Sequence, residues 1–148
     1  MCTKRGAALR SLAPAIVSRH AGPRFLGYLQ AQKERLIGTR GQKRVNRPEL
    51  IAAHGFDTKY AMHVVRLGRQ GIELMETRRL TLPMAEPERS RIMAIRTGDV
   101  PEAEVVAEVE QVEAELVKAI DESALPEEPD RAAIDAFIVD AYREAWGW

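Results

Sequence analysis

Residues 57–78, DTKYAMHVVRLGRQGIELMETR, constrain the fold more than any other stretch. Ala61, Val64, Val65, Gly68, Ile72 and Met75 recur in steps of three and four, which places them on one stripe of a helix. Asp57 stands just ahead in an N-cap position, where its carboxylate can accept the orphan N–H groups of the first turn. The helix is therefore expected from Thr58 to about Arg78. Gly68 and Gly71 lie in its interior, where each costs up to about 1 kcal/mol relative to alanine. Tolerating two such residues implies that a neighbouring helix or a ligand comes close.

The same punctuation organises the rest of the chain. Pro23 suits the first turn of a helix running to Ile37, and Gly38 suits its exit. Before it, GAALRSLAPAIVSRH reads as one or two short helices broken at Pro14. GTRGQKRVNRPEL is a basic loop, and Pro48 opens a short helix ended by Gly55. RLTLPM reads as a short extended segment stopped at Pro83. Pro87 begins a helix to about Arg96, ended by Gly98. Pro101 begins the longest, acidic helix, to about Ser123, with Val105, Val109, Val112, Leu116 and Ala119 as its seam. That seam is too short for a coiled coil and fits a packed bundle. Asp130 caps a last helix to Trp146, with Ile134, Phe137, Ile138, Ala141 and Tyr142 expected inward. The expected fold is all-α, a compact bundle of six or seven helices with short loops. At 148 residues the chain is expected to form one domain, residues 1–148, with residues 1–20 a loosely packed N-terminal segment. Aromatic residues at 5% and charged residues at 30% favour helices over a β-sandwich.

A single cysteine, Cys2, cannot staple the fold, so a reducing cytoplasm is the expected compartment. No run reaches the roughly 18 apolar residues of a membrane span, and no membrane partner is expected. The formal net charge of zero hides an asymmetry. Residues 1–79 hold 16 lysines and arginines against 5 acids, and residues 80–148 hold 6 against 17. Either the halves pack together and neutralise each other, or the basic half receives phosphates.

Motifs for several chemistries are missing. The chain has no phosphate-binding GxxxxGK[ST], no dinucleotide GxGxxG, no CxxC and no HExxH. His20, His54 and His63 are scattered, so no metal site is assigned, and no catalytic residue is assigned either. The acidic pairs Glu102/Glu104 and Glu113/Glu115 read as a solvated helix face. The candidate site is basic. Lys59, His63 and Arg66 are spaced four and three and share a helix face. The preceding loop adds Arg40, Lys43, Arg44 and Arg47. Its glycines allow close backbone approach to an anion. The site reading is a phosphate-facing ridge of Lys59, His63 and Arg66 flanked by Lys43, Arg44 and Arg47, and the competing reading is an ordinary wet face.

The segment GQKRVNRPELIAAHGFDTKYAMHVVRLGRQGIELMETRRLTLP resembles the C-terminal half of predicted nucleotidyltransferases of the DNA polymerase beta superfamily, similar to the polymerase-beta-like proteins of RNA repair pathways. The resemblance continues through ERSRIMAIRTGDVPEAEV and SALPEEPDRAAIDAFIVDAYREAW, and GFDTKYAMHVVRL is its most specific element. In such families the resemblance implies a catalytic centre in an N-terminal α/β domain, with a Gly-Ser turn and paired aspartates holding Mg²⁺. This chain shows no Gly-Ser turn with a downstream Asp-x-Asp, and it is expected to begin about where the helical half begins. The expectation is a helical accessory domain that binds nucleotide or RNA phosphates through its basic half. It would need no cofactor of its own, with Mg²⁺ and a nucleoside triphosphate required only if a catalytic domain is supplied elsewhere. The alternatives are a stand-alone interaction or homo-oligomerisation module, and a transferase whose acids were recruited differently.

Overall fold

The computed structural model describes residues 3–38 and 47–147. They form seven helices: α1 (Lys4–Ile16), α2 (Ala21–Ile37), α3 (Pro48–His54), α4 (Thr58–Thr77), α5 (Glu88–Thr97), α6 (Glu102–Glu122) and α7 (Arg131–Trp146). No strand occurs among the described residues, so RLTLPM is irregular rather than extended sheet.

The expected caps set the ends. Asp57 accepts the N–H groups of Lys59 and Tyr60, both at 3.1 Å, and starts α4. Gly38, Gly55 and Gly98 end α2, α3 and α5 in the left-handed conformation that glycine adopts without penalty. Gly98 is further constrained, because a Cβ there would overlap the His54 ring at the end of α3. Pro14 does not break its segment. It sits in the last turn of a single helix, where only one intrahelical hydrogen bond is forfeited.

α4 is the central element and packs against α2, α5 and α6. Its buried stripe includes Ala61, Val64, Val65, Gly68, Gly71, Leu74 and Met75. The α6 seam of Val105, Val109, Val112, Leu116 and Ala119 is buried throughout. The two α4 glycines accommodate helices, not a ligand. A Cβ on Gly68 would overlap Val112 Cγ1 and come within 2.9 Å of Leu29 Cδ1. One on Gly71 would lie 2.9 Å from Leu116 Cδ1 and 3.0 Å from Phe25 Cβ. The backbones of α2 and α6 thus approach α4 more closely than any larger residue permits.

The charge asymmetry is partly resolved by this packing. Lys33 of α2 pairs with Glu113 at 2.8 Å, Arg69 of α4 with Glu115 at 2.6 Å, and Arg91 of α5 with both Glu104 and Glu108 at 2.8 Å. Arg91 thereby relieves the repulsion between two glutamates four apart on α6. Burial pushes the Glu113 carboxyl up, but hydrogen bonds from Lys33 and Gln30 outweigh it, and the net shift is downward.

α1 and α7 form a separate antiparallel pair. Arg5 donates to the Glu144 carboxylate and to the Asp140 carbonyl at 3.1 Å, and its guanidinium lies 5.9 Å from the Phe137 ring centre. At the other end the Asp130 N–H donates to the Ala15 carbonyl at 2.8 Å. Neither helix contains a fully buried residue. This corrects the inward set expected for α7. Ile134, Phe137 and Ala141 are half-buried, whereas Ile138 and Tyr142 are exposed. The reason is the missing layer: α7 packs chiefly on α1, so only part of its apolar surface is covered.

Candidate phosphate-binding ridge

The ridge is built on the first half of α4. The Asp57 cap fixes the start of the helix, and Arg47 holds the cap. Arg47 Nη1 donates to Asp57 Oδ2 at 2.8 Å, and its guanidinium lies 4.9 Å from the centre of the Tyr60 ring. Asp57 is buried, and its two oxygens share three donors, two from the helix backbone and one from Arg47. A buried carboxylate is tolerated when paired and hydrogen-bonded in this way. Arg47 is thus tied to the helix start, a role its place in the loop did not suggest. Lys43 and Arg44 lie outside the described residues.

Along the helix, Arg66 Nη2 stands 2.9 Å from His63 Nδ1, and Arg66 Nη1 donates to Gln70 Oε1 at 3.3 Å. A guanidinium has donors only, so Nδ1 must be the acceptor. The imidazole is therefore neutral, with its proton on Nε2. Protonating Nδ1 would set donor against donor. In agreement, burial, then Arg66, then Lys59 hold the His63 imidazole below its ordinary range. Tyr28 of α2 meets the imidazole edge to face, with ring centres 5.7 Å apart and planes at 79°. That contact spans 35 positions in the chain and no sequence spacing announces it.

Lys59 is exposed and has no acidic partner among the described residues. Among the described residues the ridge thus presents one ammonium without an acidic partner, one guanidinium bonded to neutral acceptors, and one neutral imidazole with an Nε2–H. Gln70 completes the row as the buried acceptor that orients Arg66. Glu73, next along the same side, accepts the Thr81 N–H at 2.9 Å and holds the loop after α4. Among the described residues no group of three or more histidines, cysteines, aspartates or glutamates could hold a metal ion. No described helix is long and apolar enough to cross a membrane.

The described residues thus form an all-α scaffold with a cationic ridge on α4. Comparison with known families supplies the relationship: the model of the RNA repair pathway DNA polymerase beta family, RlaP, matches residues 3–140. The chain belongs to that family, and its relationship to nucleotidyltransferases follows. No curated protein and no solved structure matches it significantly.

Proposed function

We propose that the chain is the helical accessory part of a nucleotidyltransferase-like protein and holds nucleotide or RNA phosphates along Lys59, His63 and Arg66. Chemistry at the phosphates is the work of a separate catalytic domain. The observation that carries this reading is the division of labour among the cations. Lys33, Arg69 and Arg91 are neutralised by α6 carboxylates, whereas Lys59 and Arg66, on the same helix as Arg69, are not. Cations without carboxylate partners on a rigid helix suit phosphate oxygens, which accept from guanidinium and ammonium groups. Arg47 secures the helix start.

The test is binding of the purified chain to single-stranded RNA and to nucleoside triphosphates at several salt concentrations. Lys59→Ala combined with Arg66→Ala should weaken binding and flatten the logarithmic salt dependence by about one unit of slope per lost phosphate contact. The melting temperature should hardly change. A wild-type chain that binds neither ligand at low salt, or a double variant that binds equally well, contradicts the reading.

A further inference from the structure

α7 is apolar over a wide arc. Part of it, Ile134, Phe137 and Ala141, rests on α1. At about 100° per residue, Ile138, Tyr142, Trp146 and Val139 continue this apolar arc round the helix, from about 40° to 140° beyond Ile134 and away from the side that meets α1. These four side chains are 44%, 45%, 53% and 60% exposed. The Tyr142 and Trp146 rings rest against each other with centres 4.6 Å apart. A surface helix ordinarily has an apolar stripe little wider than about 100° and a polar opposite face, so the exposed extension of this arc exceeds what α1 covers. A contiguous exposed patch with two aromatic residues marks an interaction site.

The charges on this stripe say what covers it. Asp135 lies four residues before Val139 and Arg143 four residues after it. Neither side chain has an ion-pair partner among the described residues. When two identical helices cross antiparallel at Val139, each position before it faces the equally distant position after it on the other helix. Asp135 then meets the partner's Arg143, and Arg143 meets the partner's Asp135. The stripe is self-complementary, as an isologous two-fold interface requires.

We infer that the outer stripe of α7 is the interface with a second copy of this chain, paired antiparallel about a two-fold axis at Val139. The inference stands independently of the phosphate ridge, which lies on α4. From Asp135 to Trp146 the stripe runs about 16 Å at 1.5 Å per residue. That is a short contact along a single helix, so the association is examined at protein concentrations from about 1 to 100 μM.

Sedimentation velocity of the full chain across that concentration range tests the assignment. The expected result is a monomer–dimer equilibrium. Asp135→Arg alone should shift it toward monomer at least several-fold, and adding Arg143→Asp should restore it. In a Cys2→Ser background, Val139→Cys should give a disulfide-linked dimer under mild oxidation, because the axis brings the two copies of this residue together. Asp135, Val139 and Arg143 are exposed, and circular dichroism checks that each variant keeps its helix content. A chain that stays monomeric throughout, a dimer indifferent to the charge reversal, a reversal that is not rescued, or Val139→Cys without crosslinking overturns the inference.

Discussion

α4 and α7 are both amphipathic helices of similar length, and they meet opposite fates. α4 buries nine of its twenty residues between three neighbouring helices, whereas α7 buries none. α7 is the more apolar of the two in sequence, with eleven apolar residues of sixteen against nine of twenty in α4. The difference lies in what stands opposite. α4 carries glycines where α2 and α6 approach, so its stripe is closely covered. α7 packs chiefly on α1, and its outer side chains stay exposed. An apolar stripe thus predicts that a helix face will be covered, without saying whether the cover comes from the same chain.

The largest expected effect concerns local stability. In dilute protein, amides of α4 and α6 should exchange with solvent only by global unfolding, while those of α1 and α7 should exchange faster by an order of magnitude or more. Equal protection across all four helices, followed residue by residue, would erase the distinction.

Next comes the close packing. Gly68→Ala gains about 1 kcal/mol of helix propensity but drives a methyl into Val112 and Leu29, both fully buried, and overpacking costs about 1–3 kcal/mol. It should destabilise. Gly27→Ala, on α2 with nothing within 4 Å of the added carbon, should stabilise by up to about 1 kcal/mol. Denaturant melts of the two variants should move in opposite directions, and a shared direction would show that the Gly68 site relaxes freely.

The helix start ranks third. Asp57→Ala removes the cap and leaves Arg47 without its carboxylate, a loss of about 1–2 kcal/mol. Asp57→Asn keeps the cap and loses the ion pair, so it should fall between the two in a thermal melt. If Asn matched Ala, capping would contribute nothing here.

His63 gives the smallest effect. Its folded-state imidazole titrates below the ordinary 6.5, so between those two values the unfolded chain binds more protons. Stability contributed by His63 is present above the ordinary value and declines as pH falls toward the lowered one. His63→Gln should flatten the melting temperature between about pH 5 and 7 relative to wild type. An anion on the ridge favours the charged ring, so phosphate ligands should bind with proton uptake in that interval. A wild-type melting curve that rises on acidification through pH 6 would contradict the neutral tautomer.

Much of the fold can be read from local chemistry. Asp57, Gly38, Gly55 and Gly98 act within a turn of their own position, so sequence alone places α2 to α5 closely. The α6 seam is equally plain, because all five residues recur at helical spacing and all five are buried. What sequence misses depends on tertiary partners. Ile138 and Tyr142 have inward character and no inner layer to meet. Pro14 stays helical because it falls near an end. At the site, the spacing of Lys59, His63 and Arg66 reveals a shared face. The Arg66–His63 bond that fixes the tautomer, the Tyr28 ring beside it and the pairing of Arg47 with Asp57 all need coordinates.

The central claim is that cations on α4 divide by direction, with Arg69 tying α4 to α6 and Arg66 facing phosphate. Arg66→Ala and Arg69→Ala, three residues apart, test it in one paired measurement of melting temperature and RNA affinity at low salt. The expected result is a crossover. Arg69→Ala lowers the melting temperature by an amount equivalent to about 0.5–1 kcal/mol and leaves RNA affinity nearly intact. Arg66→Ala keeps the melting temperature and weakens RNA binding several-fold. Two variants that behave alike in both measurements, or a crossover in the opposite sense, would contradict the claim.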